Sequence, residues 1–292
     1  MIRKLILAAT ATVLVAAGAC AKAGDEATVL TGDAALTALR AAPDAAAEAG
    51  SARFEMTITV DTPQGEFEML ASGGYSGDQA VIEMDLGSMM AQLADLTGET
   101  VPGGLDQSMQ MVADGTDFYL RWPMLEQITG TAGWISMSAE DLGMASSSLG
   151  FGAGTNDPSQ FLETLRGTSD DLEEIGSEEI RGVATTHLRA TIDIDRALAE
   201  MPSDQRELLA PQLEGIDPGG SGFPVDAWID ADGLPRRLSM DFSSLAAAMG
   251  SGGSASVSID FFDYGEPVEV VVPDPADTTP FGDVMGAFGG FG

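Results

Sequence analysis

The stretch Arg53-Phe54-Glu55-Met56-Thr57-Ile58-Thr59-Val60 decides the fold class of this chain. Its apolar side chains recur at every second position, which is the period of a β-strand with one buried face. The even-numbered positions carry Phe, Met, Ile and Val, whereas the odd-numbered ones carry Arg, Glu and Thr. We therefore predict a half-buried strand here, with an apolar core on one side.

Turn residues extend this strand into an antiparallel meander. Pro63-Gln64-Gly65 and Ser76-Gly77-Asp78 lead into strand patterns over residues 66–75 and 80–86. Further strands are predicted over residues 108–113, 117–122, 134–137, 172–175, 183–195, 225–230, 235–242, 255–264 and 268–272. Helical patterns over residues 34–42, 44–49, 87–98, 159–166, 196–201 and 203–213 lie between runs of strands. Because the helices do not alternate with single strands, the pattern predicts an α+β fold with an antiparallel sheet.

The composition excludes several classes of function. Thirteen Lys and Arg stand against 46 Asp and Glu, which gives a formal net charge of −33 and argues against a nucleic-acid groove. One Cys and one His exclude intrachain disulfides, Cys/His zinc sites and most Cys–His catalysis. A hydrophobic content of 44% is ample for a sizeable core. These counts favour a binding, carrier or structural protein over an enzyme.

Residues 1–19 have the layout of an export signal, with a basic start, an apolar run and small residues. Ala17-Gly18-Ala19 fits ordinary signal cleavage, and together with Cys20 it also fits a loose bacterial lipobox. Since the single cysteine lies where lipid transfer to a thiol needs it, we interpret Cys20 as the lipid-attachment site, bearing fatty acids such as palmitate. Two acyl chains would anchor the chain stably on the extracytoplasmic face of the cell membrane.

The sequence divides into four parts. Residues 1–19 form the signal peptide, and residues 20–50 form a lipid-anchored tether and an N-terminal helix, broken at Pro43 into two short runs. Residues 51–272 form one domain without an internal linker. Residues 273–292 are rich in Pro, Asp, Gly and Phe and are predicted to be a disordered tail.

Several segments, taken in order, resemble one protein family. They are Cys20 with its preceding small residues and the runs over residues 50–54, 117–123, 180–191, 224–237 and 262–268. Together they resemble the actinobacterial LppX/LprA/LprF/LprG-type envelope lipoproteins over about residues 30–275. The resemblance implies a LolA-like fold, a curved antiparallel β-sheet or half-barrel with helices covering its concave face. It brings no catalytic residues, and none are assigned.

The resemblance also implies a cavity between sheet and helices that holds lipid or glycolipid chains in transit through the envelope. Met residues on the predicted strands suit such a cavity, because Met adapts to flexible ligands. They would equally suit a closed core, which leaves open an envelope scaffold or interaction lipoprotein without a ligand. The predicted cavity-lining residues are Phe54, Met56, Ile58, Met69, Met84, Met109, Met111, Leu188 and Ile192.

The remaining polar features favour structural interpretations. His187 lies on the polar face of its strand, and Asp232-Gly233 is typical of a hairpin turn rather than a calcium loop. The acidic run over residues 170–179 is interpreted as a solvated surface. We therefore predict no metal and no cofactor. The predicted partners are the membrane, through the lipid anchor, and a lipid or amphiphilic ligand, with an unidentified envelope transporter as a further partner of a monomeric chain.

Overall fold

The computed structural model describes residues 32–62, 65–88, 90–91, 94, 108–123, 126, 130, 133–138, 141, 165, 171–193, 196, 199, 222–243 and 253–289. The predicted signal peptide, Cys20 and the predicted tether up to residue 31 lie outside these ranges. So do most residues of the helices predicted over 87–98, 159–166, 196–201 and 203–213.

The described elements are two α-helices, one short 3-10 helix and twelve strands. In chain order they are α1 (Gly32–Ala49), β1 (Ser51–Thr62), β2 (Gly65–Ser76), β3 (Gln79–Asp85), β4 (Ser108–Asp114), β5 (Asp117–Arg121), β6 (Trp134–Met137), β7 (Glu173–Ile180), β8 (Val183–Ile192), β9 (Phe223–Asp230), β10 (Pro235–Asp241), β11 (Ser254–Phe262), the 3-10 helix (Pro275–Asp277), β12 (Thr278–Pro280) and α2 (Phe281–Gly289).

All twelve strands belong to one sheet, in the order β12-β6-β5-β4-β3-β2-β1-β11-β10-β9-β8-β7. Ten of the neighbouring pairs are antiparallel, and β12 pairs with β6 in parallel. In the part of the chain that the structure describes, the sheet is open and curved and few helices accompany it, so the predicted α+β half-barrel class is confirmed. The meander predicted around the decisive stretch is also present, because β1, β2 and β3 are consecutive neighbours.

The strand register aligns apolar side chains into rows on one face, which we call the inner face. One row crosses eight neighbouring strands and contains only apolar residues, none more than 5% exposed. Its members are Met109, Met84, Ala71, Met56, Ile259, Leu238, Ala227 and Leu188. A buried row of this length places the hydrophobic core along at least eight of the twelve strands.

Helix α1 covers part of the inner face with a stripe at helical spacing. Ala35, Leu39, Ala42 and Ala46 are each at most 2% exposed and belong to the same core cluster as the inner-face residues. The break predicted at Pro43 is absent, since Gly32–Ala49 is one helix with Pro43 inside it. Packing of this stripe against the sheet compensates for the backbone hydrogen bond that proline cannot donate.

The C-terminal segment differs most from the prediction. Residues 275–289, assigned to a disordered tail, instead form the 3-10 helix, β12 and α2, and residues 268–272 form no strand. Val284 of α2 is 2% exposed and joins the core cluster, while β12 covers the edge of β6. Apolar contacts of α2 and backbone pairing at an open edge thus order a segment that composition alone suggested was loose.

The segment before β12 passes over the other face, which we call the outer face. Val268 lies so close to Gly74 that a Cβ there would be 3.0 Å from a Val268 methyl group. Gly74, Val81 and Val112 are register partners on this face, and Val112 is only 2% exposed. The outer face therefore carries a small second apolar row, in addition to the main core.

Candidate functional site

The nine predicted cavity residues lie on the inner face. Phe54, Met56, Ile58, Met84, Met109, Met111, Leu188 and Ile192 are all at most 7% exposed, and Met69 is half-buried against the same core. The ladder pairs Ile58 with Met69 and Met84 with Met109, so these side chains lie next to one another. The structure therefore brings the predicted residues together on one face, and their role in lining a ligand cavity stays a prediction.

The inner face is covered by residues from several parts of the chain. Besides α1, the buried residues Met90, Leu165 and Val284 join its core cluster. Phe54 packs directly onto the backbone of β2, because a Cβ on Gly73 would lie 2.9 Å from the end of its ring. Lipid bound at this face would have to separate some of these contacts, as expected of a surface built from adaptable Met side chains.

A polar network occupies the outer face over β1 and β7 to β11. Arg237 on β10 forms two hydrogen bonds with Asp260 on β11, at 2.5 and 2.7 Å. Arg181, in the turn after β7, also bonds Asp260 at 3.3 Å and pairs with Glu55 on β1. The guanidinium carbon of Arg181 lies 4.2 Å from the centre of the Phe262 ring. These contacts bind the tip of the β7–β8 hairpin to the middle of the sheet.

His187 takes part in this network through its strand neighbours. Its Nε2 lies 2.7 Å from Asp226 Oδ1, and its ring stacks on Trp228 with centroids 4.1 Å apart. Arg189 donates to the same carboxylate at 3.0 Å, and the Trp228 indole donates to Glu178. His187 lies on the polar face of its strand, as predicted, and its ring contacts the Asp226 carboxylate and the Trp228 ring.

Asp230 organises the β9–β10 hairpin. Its side chain is 3% exposed and accepts hydrogen bonds from the backbone of Asp232 and Leu234 and from Arg236, at 2.7 to 2.9 Å. A carboxylate satisfied by three donors stabilises the turn and leaves little capacity for calcium. Among the described residues, no three His, Cys, Asp or Glu side chains form a group that could hold a metal ion.

Tyr264 joins this hairpin to the end of β11. Its hydroxyl donates to the carbonyl of Pro235 at 2.7 Å, and the Arg236 guanidinium lies over its ring. Burial raises the pKa of the Tyr264 hydroxyl well above its ordinary value. The phenol is thus kept neutral as a structural hydrogen-bond donor.

A cleft of about 380 Å3 lies at the β6 edge, apart from the predicted cavity residues. It is lined by residues at the end of β5, at the start of β6 and from the 3-10 helix to β12, namely Arg121, Gly133, Trp134, Ala276, Asp277, Thr278 and Thr279.

The local sequence pattern predicts neither the polar network nor the cleft as an assembled site. The alternation of β8 indicated that His187 and Arg189 share a face, but Asp226 and Trp228 meet them only through the β8–β9 register. The cleft depends on β12, which a composition-based reading treats as part of a tail. A β-branched run at residues 278–279 was the only local signal.

No protein-family model matches this chain. Over 166 residues, 54% of this chain, it is 28% identical to an uncharacterized 31.2 kDa protein of Streptomyces griseus from the rplA-rplJ intergenic region. The chain spans about half the length, 51%, of that curated relative.

Several solved structures are similar in fold. Lipoprotein LppX of Mycobacterium tuberculosis matches at 19% identity and a TM-score of 0.44, over 81% of this chain and 97% of that one. LprF of Mycobacterium bovis matches at 16% identity and 0.40, over 82% and 96%. A LolA superfamily protein of Nitrosomonas europaea matches at 13% identity and 0.31, over 83% and 96%. LppX and LprF are among these matches.

Of the helices that the structure describes, none has both the length and the apolar character needed to cross a membrane.

Proposed function

We propose that this chain is an exported envelope lipoprotein that binds lipid or another hydrophobic molecule between its sheet and helices, for transfer through the envelope. The observation that carries the proposal is the apolar inner row across eight strands, in which Met84, Met56 and Met109 are neighbours or near neighbours. Adaptable Met side chains on a broad buried face suit acyl chains of variable shape. In this proposal the chain is a monomeric binding protein and not an enzyme.

Membrane attachment is a separate part of the proposal and rests on Cys20. The thiol follows the small residues Ala17-Gly18-Ala19, as lipid transfer requires. Metabolic labelling with a palmitate analogue should label the wild-type chain and not the Cys20→Ala variant. Wild-type chain without label would overturn the anchor and leave the proposed ligand binding untouched.

Lipid binding is tested on protein purified from its own host. Native mass spectrometry should show an added mass that solvent extraction removes, and the stripped protein should take up a labelled phospholipid. The adjacent residues Met69 and Leu70 give a matched pair, since Met69 is half-buried on the inner face and Leu70 is 50% exposed on the outer one. Met69→Trp should reduce lipid uptake severalfold by filling space, whereas Leu70→Trp should not.

One observation favours the alternative of a scaffold lipoprotein. Phe54, Met56 and Leu188 are already at most 1% exposed, as in a filled core. Protein that is consistently free of lipid, and that takes up none, would overturn the carrier and support the scaffold. An effect of Leu70→Trp equal to that of Met69→Trp would place any binding outside the inner face.

A further inference from the structure

The cleft at the β6 edge is built by chain segments that are far apart in sequence. β12 pairs with β6 so that Thr278 lies opposite Trp134 and Thr279 opposite Ile135. The backbones approach closely beside this pair, because a Cβ on Gly133 would lie 2.7 Å from the carbonyl oxygen of Asp277. Gly133 also has a φ of +96°, which favours glycine. The cleft walls are therefore fixed by backbone contacts rather than by loose side chains.

The polar groups of the cleft carry both signs of charge. The Arg121 side chain is 49% exposed, and its ion pair with Glu126 measures 3.7 Å, longer than a hydrogen bond. Asp277 also lines the cleft and supplies an acceptor. Thr278 donates its hydroxyl to the Pro275 carbonyl at 2.9 Å, which leaves the oxygen of that hydroxyl able to accept. Donors and acceptors thus line a single small space.

Trp134 adds one aromatic wall to this polar cleft. It is half-buried, and strand alternation places it on the outer face, because its neighbour Ile135 is buried on the inner face. A volume of about 380 Å3 lies within the range of small-molecule sites and exceeds the needs of a single ion. The combination is an aromatic surface beside hydrogen-bonding groups of both kinds.

We propose that this cleft binds a neutral saccharide ring. A sugar has an apolar C–H face that can pack on Trp134, and its hydroxyl groups both donate and accept, so they match Arg121 and Asp277 alike. An anion fits less well, since Arg121 already has Glu126 as a neighbour at 3.7 Å, Asp277 also lines the cleft, and the chain has a net charge of −33. An acyl chain fits less well because the groups lining the cleft are mainly polar.

The test uses the full-length protein and saturation-transfer NMR. The probes are the methyl glycosides of glucose, mannose and N-acetylglucosamine, with inorganic phosphate as the anionic comparison. At least one glycoside should bind saturably with a Kd of about 1 mM. Saturation should be strongest on the ring C–H protons that pack against Trp134.

One variant assigns that binding to the cleft. Arg121→Gln removes the charged donor and should weaken sugar binding about tenfold. Arg189→Gln is the matched control, because Arg189 is similarly exposed at 52% but lies on β8, outside the cleft. Circular dichroism should show that both variants are folded.

The outcomes separate clearly. Sugar binding that weakens in Arg121→Gln and persists in Arg189→Gln supports the proposal. Absence of saturable binding by all three glycosides overturns it. Phosphate binding that depends on Arg121 without sugar binding also overturns it and makes the cleft an anion site. Because the cleft and the inner face are separate, the result does not depend on whether the protein carries lipid.

Discussion

Arg237 and Asp260 lie opposite each other on β10 and β11 and are joined by two hydrogen bonds, Nε to Oδ1 at 2.5 Å and Nη2 to Oδ2 at 2.7 Å. The bond to Asp260 raises the pKa of the Arg237 guanidinium, which is therefore charged at every physiological pH. Asp260 also accepts from Arg181, and the Arg237 guanidinium lies near the Trp228 ring. In a chain with 46 acids and 13 basic residues, this pairing relieves repulsion at the centre of the outer face.

Replacing Arg237 should destabilise the protein more than replacing an arginine in a loose ion pair. Arg237→Gln removes both hydrogen bonds from the guanidinium to Asp260 and leaves that carboxylate with fewer donors. The free energy of unfolding should therefore fall by about 1 kcal/mol. Arg53 is the control, since its contact with Asp263 is 3.6 Å and both side chains are about half exposed. Arg53→Gln should lower the free energy of unfolding by less than about 0.5 kcal/mol. Urea denaturation measures both, and equal losses would contradict a special role for Arg237.

Tyr264 predicts a dependence of stability on alkaline pH. Its pKa is raised in the folded state, so the folded protein keeps the phenol proton at a pH where the unfolded chain, at an ordinary value of 10.0, loses it. The stability that this proton contributes is therefore complete below about pH 10 and declines as the pH rises further. At neutral pH, Tyr264→Phe should cost about 1 kcal/mol, because the Pro235 carbonyl loses its donor.

Above about pH 10 the free energies of unfolding of the wild type and of Tyr264→Phe should converge, because the variant has no phenol to titrate at this position. Urea denaturation of both proteins at neutral pH and at about pH 11 measures this difference in the free energy of unfolding. A difference that stays constant across this pH range would contradict the raised pKa of Tyr264.

The local sequence pattern was sufficient to predict much of the sheet and to predict which face of its strands is buried. Alternation in residues 53–60 places Phe54, Met56 and Ile58 together, and the structure buries all three. Pairing between distant strands was not predictable, since the contact of β1 with β11 joins residues about 200 positions apart. The continuity of α1 through Pro43 likewise depends on packing against the sheet, which a local rule for proline does not include.

Two glycines should respond to alanine in opposite directions. At Gly73, a Cβ would lie 2.0 Å from the Val81 carbonyl oxygen and 2.9 Å from the Phe54 ring, so Gly73→Ala should destabilise by about 2 kcal/mol. At Gly286 in α2, nothing lies within 4 Å of the added Cβ, so Gly286→Ala should stabilise by about 0.5 kcal/mol through helix propensity. Thermal unfolding of both variants checks the signs. A neutral Gly73→Ala would show that β2 can move away from β3.

The order of the C-terminal segment can be tested with two valines of opposite exposure. Val284 on α2 is 2% exposed within the core cluster, whereas Val271, before the 3-10 helix, is 69% exposed. Val284→Ala removes buried methyl groups and should lower the free energy of unfolding by about 2 kcal/mol. Val271→Ala makes the same chemical change at the surface and should stay within about 0.5 kcal/mol of the wild type. Urea denaturation at one protein concentration measures both.

If neither variant changed the free energy of unfolding, α2 would not pack on the inner face in solution, and the prediction of a disordered tail from composition would stand. A loss confined to Val284→Ala would instead show that α2 is part of the cover of the inner face.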